Sequence, residues 1–218
     1  MQELLAQVYA TDAVEWAATL TALAYVYLAA RDNNWCWLFA ALSATLWAYQ
    51  SLIVYQLVSD ALLQLFYLVM AGVGLFRWQR SRRVSPPNEM LDSIARDPVA
   101  DGESDIRRME TGEHLTVIGL GLTTGLLLGY LVGSVSTATQ TYLDAVTTSF
   151  SVVATFLLIW RRLDNWIYWM VIDAVYVYIY LRAGALLFAL LMILYIVMAI
   201  YGYLTWRSAV DGGHETAR

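Results

Sequence analysis

Trp166, Trp169, Asp173, Tyr176 and Tyr180 recur at helical spacing in the last third of the chain. At about 100° per residue, these five fall within roughly one quarter of a helix circumference. Such a stripe offers aromatic faces around one carboxylate. That combination suits a flat cationic ring, which it can hold by stacking, cation–π attraction and charge pairing. A second set, Asp60, Gln64 and Tyr67, also shares one helical face. Each residue has a plainer role open to it. Aromatic residues on such a face pack or anchor, a lone aspartate can be a structural hydrogen-bond partner, and Asp60 and Glu15 near a segment end can simply be wetted.

The elements that carry these residues are apolar and long. Of 218 residues 60% are hydrophobic and 14% charged, against about 25% charged in soluble domains. A bilayer core about 30 Å thick takes ~20 apolar helical residues. Seven stretches qualify, at 12–30, 34–54, 57–79, 114–135, 139–161, 164–182 and 183–207. Residues 84–113 differ sharply, with three prolines, eight acidic residues and no apolar run, and read as a solvated loop. All 13 basic residues are arginine. With the N-terminus outside, Arg182 alone falls on the outer side, as the positive-inside rule requires. Trp78, Trp160 and Trp206 then mark inner helix ends, where an interfacial aromatic belt belongs.

The chain repeats itself. Tyr67-Leu-Val-Met-Ala-Gly-Val-Gly-Leu-Phe-Arg-Trp78 and Tyr195-Ile-Val-Met-Ala-Ile-Tyr-Gly-Tyr-Leu-Thr-Trp206 agree at six of twelve positions without a gap. Asn34-Trp35 and Asn165-Trp166 correspond at nearly the same offset. The expected architecture is an all-α integral membrane protein of seven spans, in which two parallel three-helix bundles flank a linker helix. The bundles occupy 12–79 and 139–207, the acidic loop 84–113, the linker 114–135 and an inner tail 208–218. Repeats of this kind recur in transporters. Gly121, Gly125, Gly129 and Gly133 give the linker a smooth face for close packing. In this pairing Asp60, Gln64 and Tyr67 match Phe188, Met192 and Tyr195, while Trp169 and Asp173 match Leu38 and Leu42. The scaffold repeats and its polar decoration does not, which points to one asymmetric site. Asn34, Trp37 and Asn165 stand at inner helix starts, where the asparagines would serve as caps or all three as gate residues.

Other classes fit poorly. The net charge of −5 with scattered cations does not suit nucleic acid. One cysteine, Cys36, allows neither an internal disulfide nor a cysteine metal cluster, and neither metal nor cofactor is expected. No cleaved leader is expected at the N-terminus. A retinal-binding protein needs a buried lysine, and the chain has none. Histidine is the commonest catalytic base, yet His114 stands at the very start of one span and His214 beyond the last, so no enzyme is expected. A protein that binds its ligand without moving it stays open.

Asn165-Trp166-Ile-Tyr-Trp169-Met-Val-Ile-Asp173 resembles the Trp-x-x-Trp-x-x-x-Asp/Asn element of the PnuC family of bacterial vitamin-precursor transporters, which have the SWEET-like three-plus-one-plus-three fold. Asp60-Ala-Leu-Leu-Gln64, Tyr67 and Gly74 resemble that family's third helix, and Asn34-Trp35-Cys-Trp37 its first inner turn. The resemblance spans nearly the whole chain outside the acidic loop. It implies facilitated diffusion of an unphosphorylated vitamin precursor across the bacterial inner membrane, with trapping by cytoplasmic phosphorylation. The cargo in such families is nicotinamide riboside, thiamine or riboflavin, and some members form trimers. The first two cargoes are cationic aromatics, in keeping with Asp173.

Overall fold

A computed structural model describes residues 2–54, 58–82, 106–133 and 141–215, without the side chains of a few helix-end residues. The described residues form helices throughout: α1 (Gln2–Ala10), α2 (Ala13–Ala30), α3 (Cys36–Tyr49), α4 (Val58–Arg82), α5 (Thr111–Gly133), α6 (Thr141–Ile159), α7 (Asn165–Arg182) and α8 (Leu186–Glu215). A π-helical turn, Gln50–Val54, extends α3. The last seven coincide with the seven stretches read from the sequence. Helix α1 has no counterpart in that reading. Six helices are long and apolar enough to cross a membrane. Helix α7 is not among them, since its tyrosines, tryptophans, Asp173 and Arg182 lower its hydropathy. Most of the 84–113 loop lies outside the described residues.

The chain divides into two compact units. The first comprises Asp12–Arg107 and Leu204–Arg218, the second Met1–Thr11 and Arg108–Tyr203. In the first unit α3 packs on both α2 and α4. Trp37 seats its indole where a Cβ on Gly74 would have to be. It meets Trp78 edge-on at 5.2 Å between centroids, and Trp78 lies 6.2 Å from Trp206. Trp206 donates to the carbonyl of Ala29 at 3.2 Å. Trp78 and Trp206 are therefore buried in an indole cluster and do not form a surface belt; of the three expected belt residues only Trp160, 49% exposed, has that character. The notch at Gly74 admits the rings, and periodicity alone cannot separate an interfacial indole from a buried one.

In the second unit α6 packs on α5 and α7. The linker helix of the sequence reading is thus grouped with the helices that follow it. The glycine face of α5 receives α6. A Cβ on Gly121 would come 2.8 Å from Phe150, one on Gly125 2.7 Å from Val146, and one on Gly129 2.7 Å from Tyr142. Thr124 and Ser149 hydrogen-bond across the same seam. Polar groups fasten the start of α5 to the α6–α7 turn. Asp164 accepts from the Met109 amide at 2.6 Å and lies 3.6 Å from His114, which reaches the Tyr168 hydroxyl at 3.0 Å. Arg162 pairs with Glu113 at 2.7 Å.

The turns before α3 and α7 have one backbone pattern. Asp32 and Arg161 both take the left-handed conformation, at φ 49° and 50°, which non-glycine residues adopt rarely. Asn33 donates to the Leu28 carbonyl as Arg162 does to Leu157, and Trp37 donates to Asn34 as Trp166 does to Leu163. This register pairs Trp37 with Trp166 and Cys36 with Asn165. The Asn-Trp identity was therefore aligned two residues out of step. Trp35, which it matched to the buried Trp166, is 65% exposed. The corrected partners of Trp169, Asp173 and Tyr176 are Ala40, Ala44 and Trp47.

Candidate functional site

Helix α7 follows a turn that fixes its start at Asn165 without a side-chain cap on Asp164, and α3 likewise starts after an uncapped Trp35. Asn34 and Asn165 thus do not serve as N-caps of these helices. Asn165 is fully buried and donates from Nδ2 to the Arg162 carbonyl at 2.6 Å. Its Oδ1, like Asn34 Oδ1 and Trp37 Nε1, is buried with no hydrogen-bond partner among the described residues. Uncompensated polar atoms of this kind are costly, so these turns hold an unspent capacity for a water or for a changed contact.

Along α7 the stripe separates into parts. Trp166 is 2% exposed, and a Cβ on Gly202 would lie 2.6 Å from its indole, so its ring fills a notch on α8 as Trp37 fills the one at Gly74. Trp169 is half-buried. Asp173 is 5% exposed. Among the described residues no hydrogen bond or ion pair engages its carboxylate, and the Tyr195 hydroxyl is near enough to feel its charge. Tyr176 stacks on Tyr180 at 5.9 Å, and Tyr180 packs on Phe188 at 5.4 Å. The Tyr176 hydroxyl lies near Thr148, Ser151 and Asp144 of α6. The second unit alone thus gathers one buried carboxylate, a half-buried indole and three tyrosine rings.

Tyr195 did not enter the sequence-derived site, although its alignment with Tyr67 was the signal that could have placed it there. Gln64 and Tyr67 are half-buried on α4, in the other unit. The side chain of Asp60 lies outside the described residues. Among the described residues no group of three or more His, Cys, Asp or Glu could hold a metal ion.

A likeness to known proteins bears on what such a unit does. The chain superposes on the crystal structure of the vitamin B3 transporter PnuC with a TM-score of 0.69 at 22% identity, over 96% of this chain and 89% of that one. At that identity the likeness shows the fold. No curated protein matches the chain. The family model described as nicotinamide mononucleotide transporter matches residues 12–208. The chain belongs to the nicotinamide mononucleotide transporter family, the PnuC family of membrane transporters.

Proposed function

We propose that this protein is a bacterial inner-membrane facilitator for a small cationic aromatic vitamin precursor, nicotinamide riboside first, whose net uptake is driven by phosphorylation in the cytoplasm. The observation that carries this reading is Asp173, a carboxylate buried midway along α7 near the Tyr195 hydroxyl and without a cation among the described residues to neutralise it. An intramembrane acid is costly and is retained for a partner. A pyridinium ring would supply the positive charge and stack on Trp169, while Tyr176, Tyr180 and Tyr195 line the same side. Trp166 serves better as the knob that fixes α7 against α8. Gln64, Tyr67 and Asp60 on α4 are proposed as further substrate-binding residues, and Asn34, Trp37 and Asn165 as gate residues.

The family's description names a mononucleotide. A phosphate brought to Asp173 would meet a like charge, which is repulsive at any interior dielectric. We therefore assign the unphosphorylated nucleoside. In this scheme α7 is the seventh span. Its 18 residues reach about 27 Å, and its polar face is turned to protein and cargo. Two three-helix bundles around the α5 linker, an outer N-terminus, an inner C-terminus and a trimeric assembly complete the proposal. The twice-built turn and the matched Trp37–Gly74 and Trp166–Gly202 notches support the repeat.

Titration calorimetry on purified protein, with nicotinamide riboside, nicotinamide mononucleotide, thiamine and riboflavin offered separately, tests this directly. Binding of the riboside and not of its phosphate is expected, followed by flux of the same compound into liposomes. Thiamine alone would keep the site and change the cargo. Binding without flux would make the chain a ligand-binding membrane protein.

A further inference from the structure

Helix α6 carries a polar stripe. Asp144, Thr148, Ser151 and Thr155 stand at i, i+4, i+7 and i+11. At about 100° per residue they fall within roughly 60° of one another. The opposite side of α6 is occupied, since Tyr142, Val146 and Phe150 meet the glycine face of α5 and Ser149 bonds to Thr124 across that seam. The stripe is thus turned away from α5. It meets α7 at Tyr176, whose hydroxyl lies near Asp144, Thr148 and Ser151. All of these residues belong to the second unit. Exposure falls along the stripe, from exposed Asp144 through half-buried Thr148 to Ser151 and Thr155, 4% and 5% exposed. An acid in the first turn of a helix is favoured by the helix dipole, but the dipole does not account for three hydroxyls aligned behind it.

The stripe presents acceptors. An ionised carboxylate only accepts. Ser151 spends its hydroxyl hydrogen on the Thr147 carbonyl at 3.0 Å, and Thr155 spends its own on the Ser151 carbonyl at 2.8 Å. Both oxygens keep lone pairs and have no hydrogen left to offer. Such a surface suits a ligand that brings several hydroxyl donors. A carboxylate plays this part on the ribose of bound dinucleotides. The placement agrees with a ring held at Asp173. Tyr176 stands three residues further along α7, about 4.5 Å along the axis, which is one step from the ring to the sugar of a riboside.

We propose that Asp144, Thr148 and Ser151 form a sugar-binding face of the site, so that its cargo carries a vicinal diol: the Asp144 carboxylate accepts from both ribose hydroxyls while the ring lies at Trp169 and Asp173. The proposal rests on the reading in which Asp173 holds a cationic ring. It adds a reason for the riboside over thiamine, which has the charge and lacks the diol.

Calorimetry on the purified protein tests this with three probes. Nicotinamide riboside has both ring charge and diol. 1-Methylnicotinamide keeps the charged ring and replaces the sugar by a methyl group. The reduced riboside keeps the diol and is uncharged. The unmodified protein should bind nicotinamide riboside at least ten-fold more tightly than 1-methylnicotinamide. Asp144→Ala should weaken both ribosides at least ten-fold and leave 1-methylnicotinamide unchanged. Asp144→Asn, whose amide oxygen still accepts one hydroxyl, should lie between. Ser151→Ala should weaken the ribosides by about two- to ten-fold. An unchanged riboside affinity in Asp144→Ala overturns the sugar-binding face. So does an equal loss for 1-methylnicotinamide, which would make Asp144 an attractor of charge. Failure of both ribosides to bind the unmodified protein overturns it too. If Asp144→Ala weakens the reduced riboside while Asp173→Asn leaves the charged one unchanged, the sugar-binding face stands and the cation reading of Asp173 falls.

Discussion

Asp173 and Trp169 divide the work that the proposed cargo demands. Asp173→Asn keeps the size and hydrogen-bonding of the side chain and removes its charge. It is expected to weaken nicotinamide riboside and thiamine at least ten-fold while leaving a neutral analogue such as the uncharged, reduced riboside nearly unchanged; equal loss for both in calorimetry would assign Asp173 a structural role. Trp169→Ala removes a stacking surface worth roughly 1–3 kcal/mol by analogy with base stacking. Its calorimetric affinity should fall by about five- to 150-fold, and an unaltered affinity in folded protein would exclude the ring from the site. The burial of Asp173 was legible in the sequence, because a carboxylate amid apolar residues at period 3.6 must be sheltered from lipid. The role of Trp166 was not, because the deciding atom is absent: what buries its ring is the missing Cβ of Gly202, on a helix that the α7 pattern says nothing about. Tyr195 was passed over because it sits in an apolar helix whose other stripe positions, Phe188 and Met192, look ordinary.

At the scale of elements, helix lengths and most boundaries followed from hydropathy, and the face of α5 followed from its glycine spacing. Gly125→Ala brings a methyl against the Val146 backbone, and Gly202→Ala brings one against the Trp166 indole. Overpacking of this kind costs about 1–3 kcal/mol. Both variants should melt several degrees lower in detergent, whereas Gly133→Ala, whose nearest neighbour lies 3.7 Å away, should melt like the parent. Helix α1 escaped the sequence reading because nine residues with no apolar run carry no span signal. Its junction with α2 makes a prediction in pH. The Glu15 amide and then the Gln50 side chain, by donating to the ionised form, hold the Asp12 carboxyl below its ordinary value of 3.8. A depressed acid stabilises the fold above the unfolded value, and the contribution fades as pH falls through 3.8 towards the lowered one. Asp12→Asn, still a competent cap, should therefore show a shallower loss of melting temperature between pH 5 and pH 3, and an identical pH slope would remove Asp12 from the acid response.

At the scale of the molecule, the register between the two matching turns is what hydropathy could not supply. Identity matching favoured the Asn-Trp pair, whereas the backbone pairs residues that share a left-handed turn and no side-chain chemistry, Asp32 with Arg161. The corrected pairing sharpens the asymmetry, since Ala44 stands where the other unit has Asp173, and both are buried to the same 5% exposure. Helix α8 raises a different matter. Its apolar window, Leu186–Gly212, runs to 27 residues, while the other candidate spans have 18 to 23. At 1.5 Å per residue it reaches about 40 Å, against a hydrocarbon core of about 30 Å. Hydrophobic mismatch of this size is relieved by tilt, by local thickening of the lipid or by emergence of one end into the headgroups. The five shorter spans match an ordinary bilayer, so lipid thickness acts unevenly on the molecule. Reconstitution into lipids of rising acyl length should ease the strain on α8 and stretch the surroundings of the rest, giving flux a maximum at an intermediate thickness. Flux independent of acyl length would show that α8 carries its excess outside the membrane.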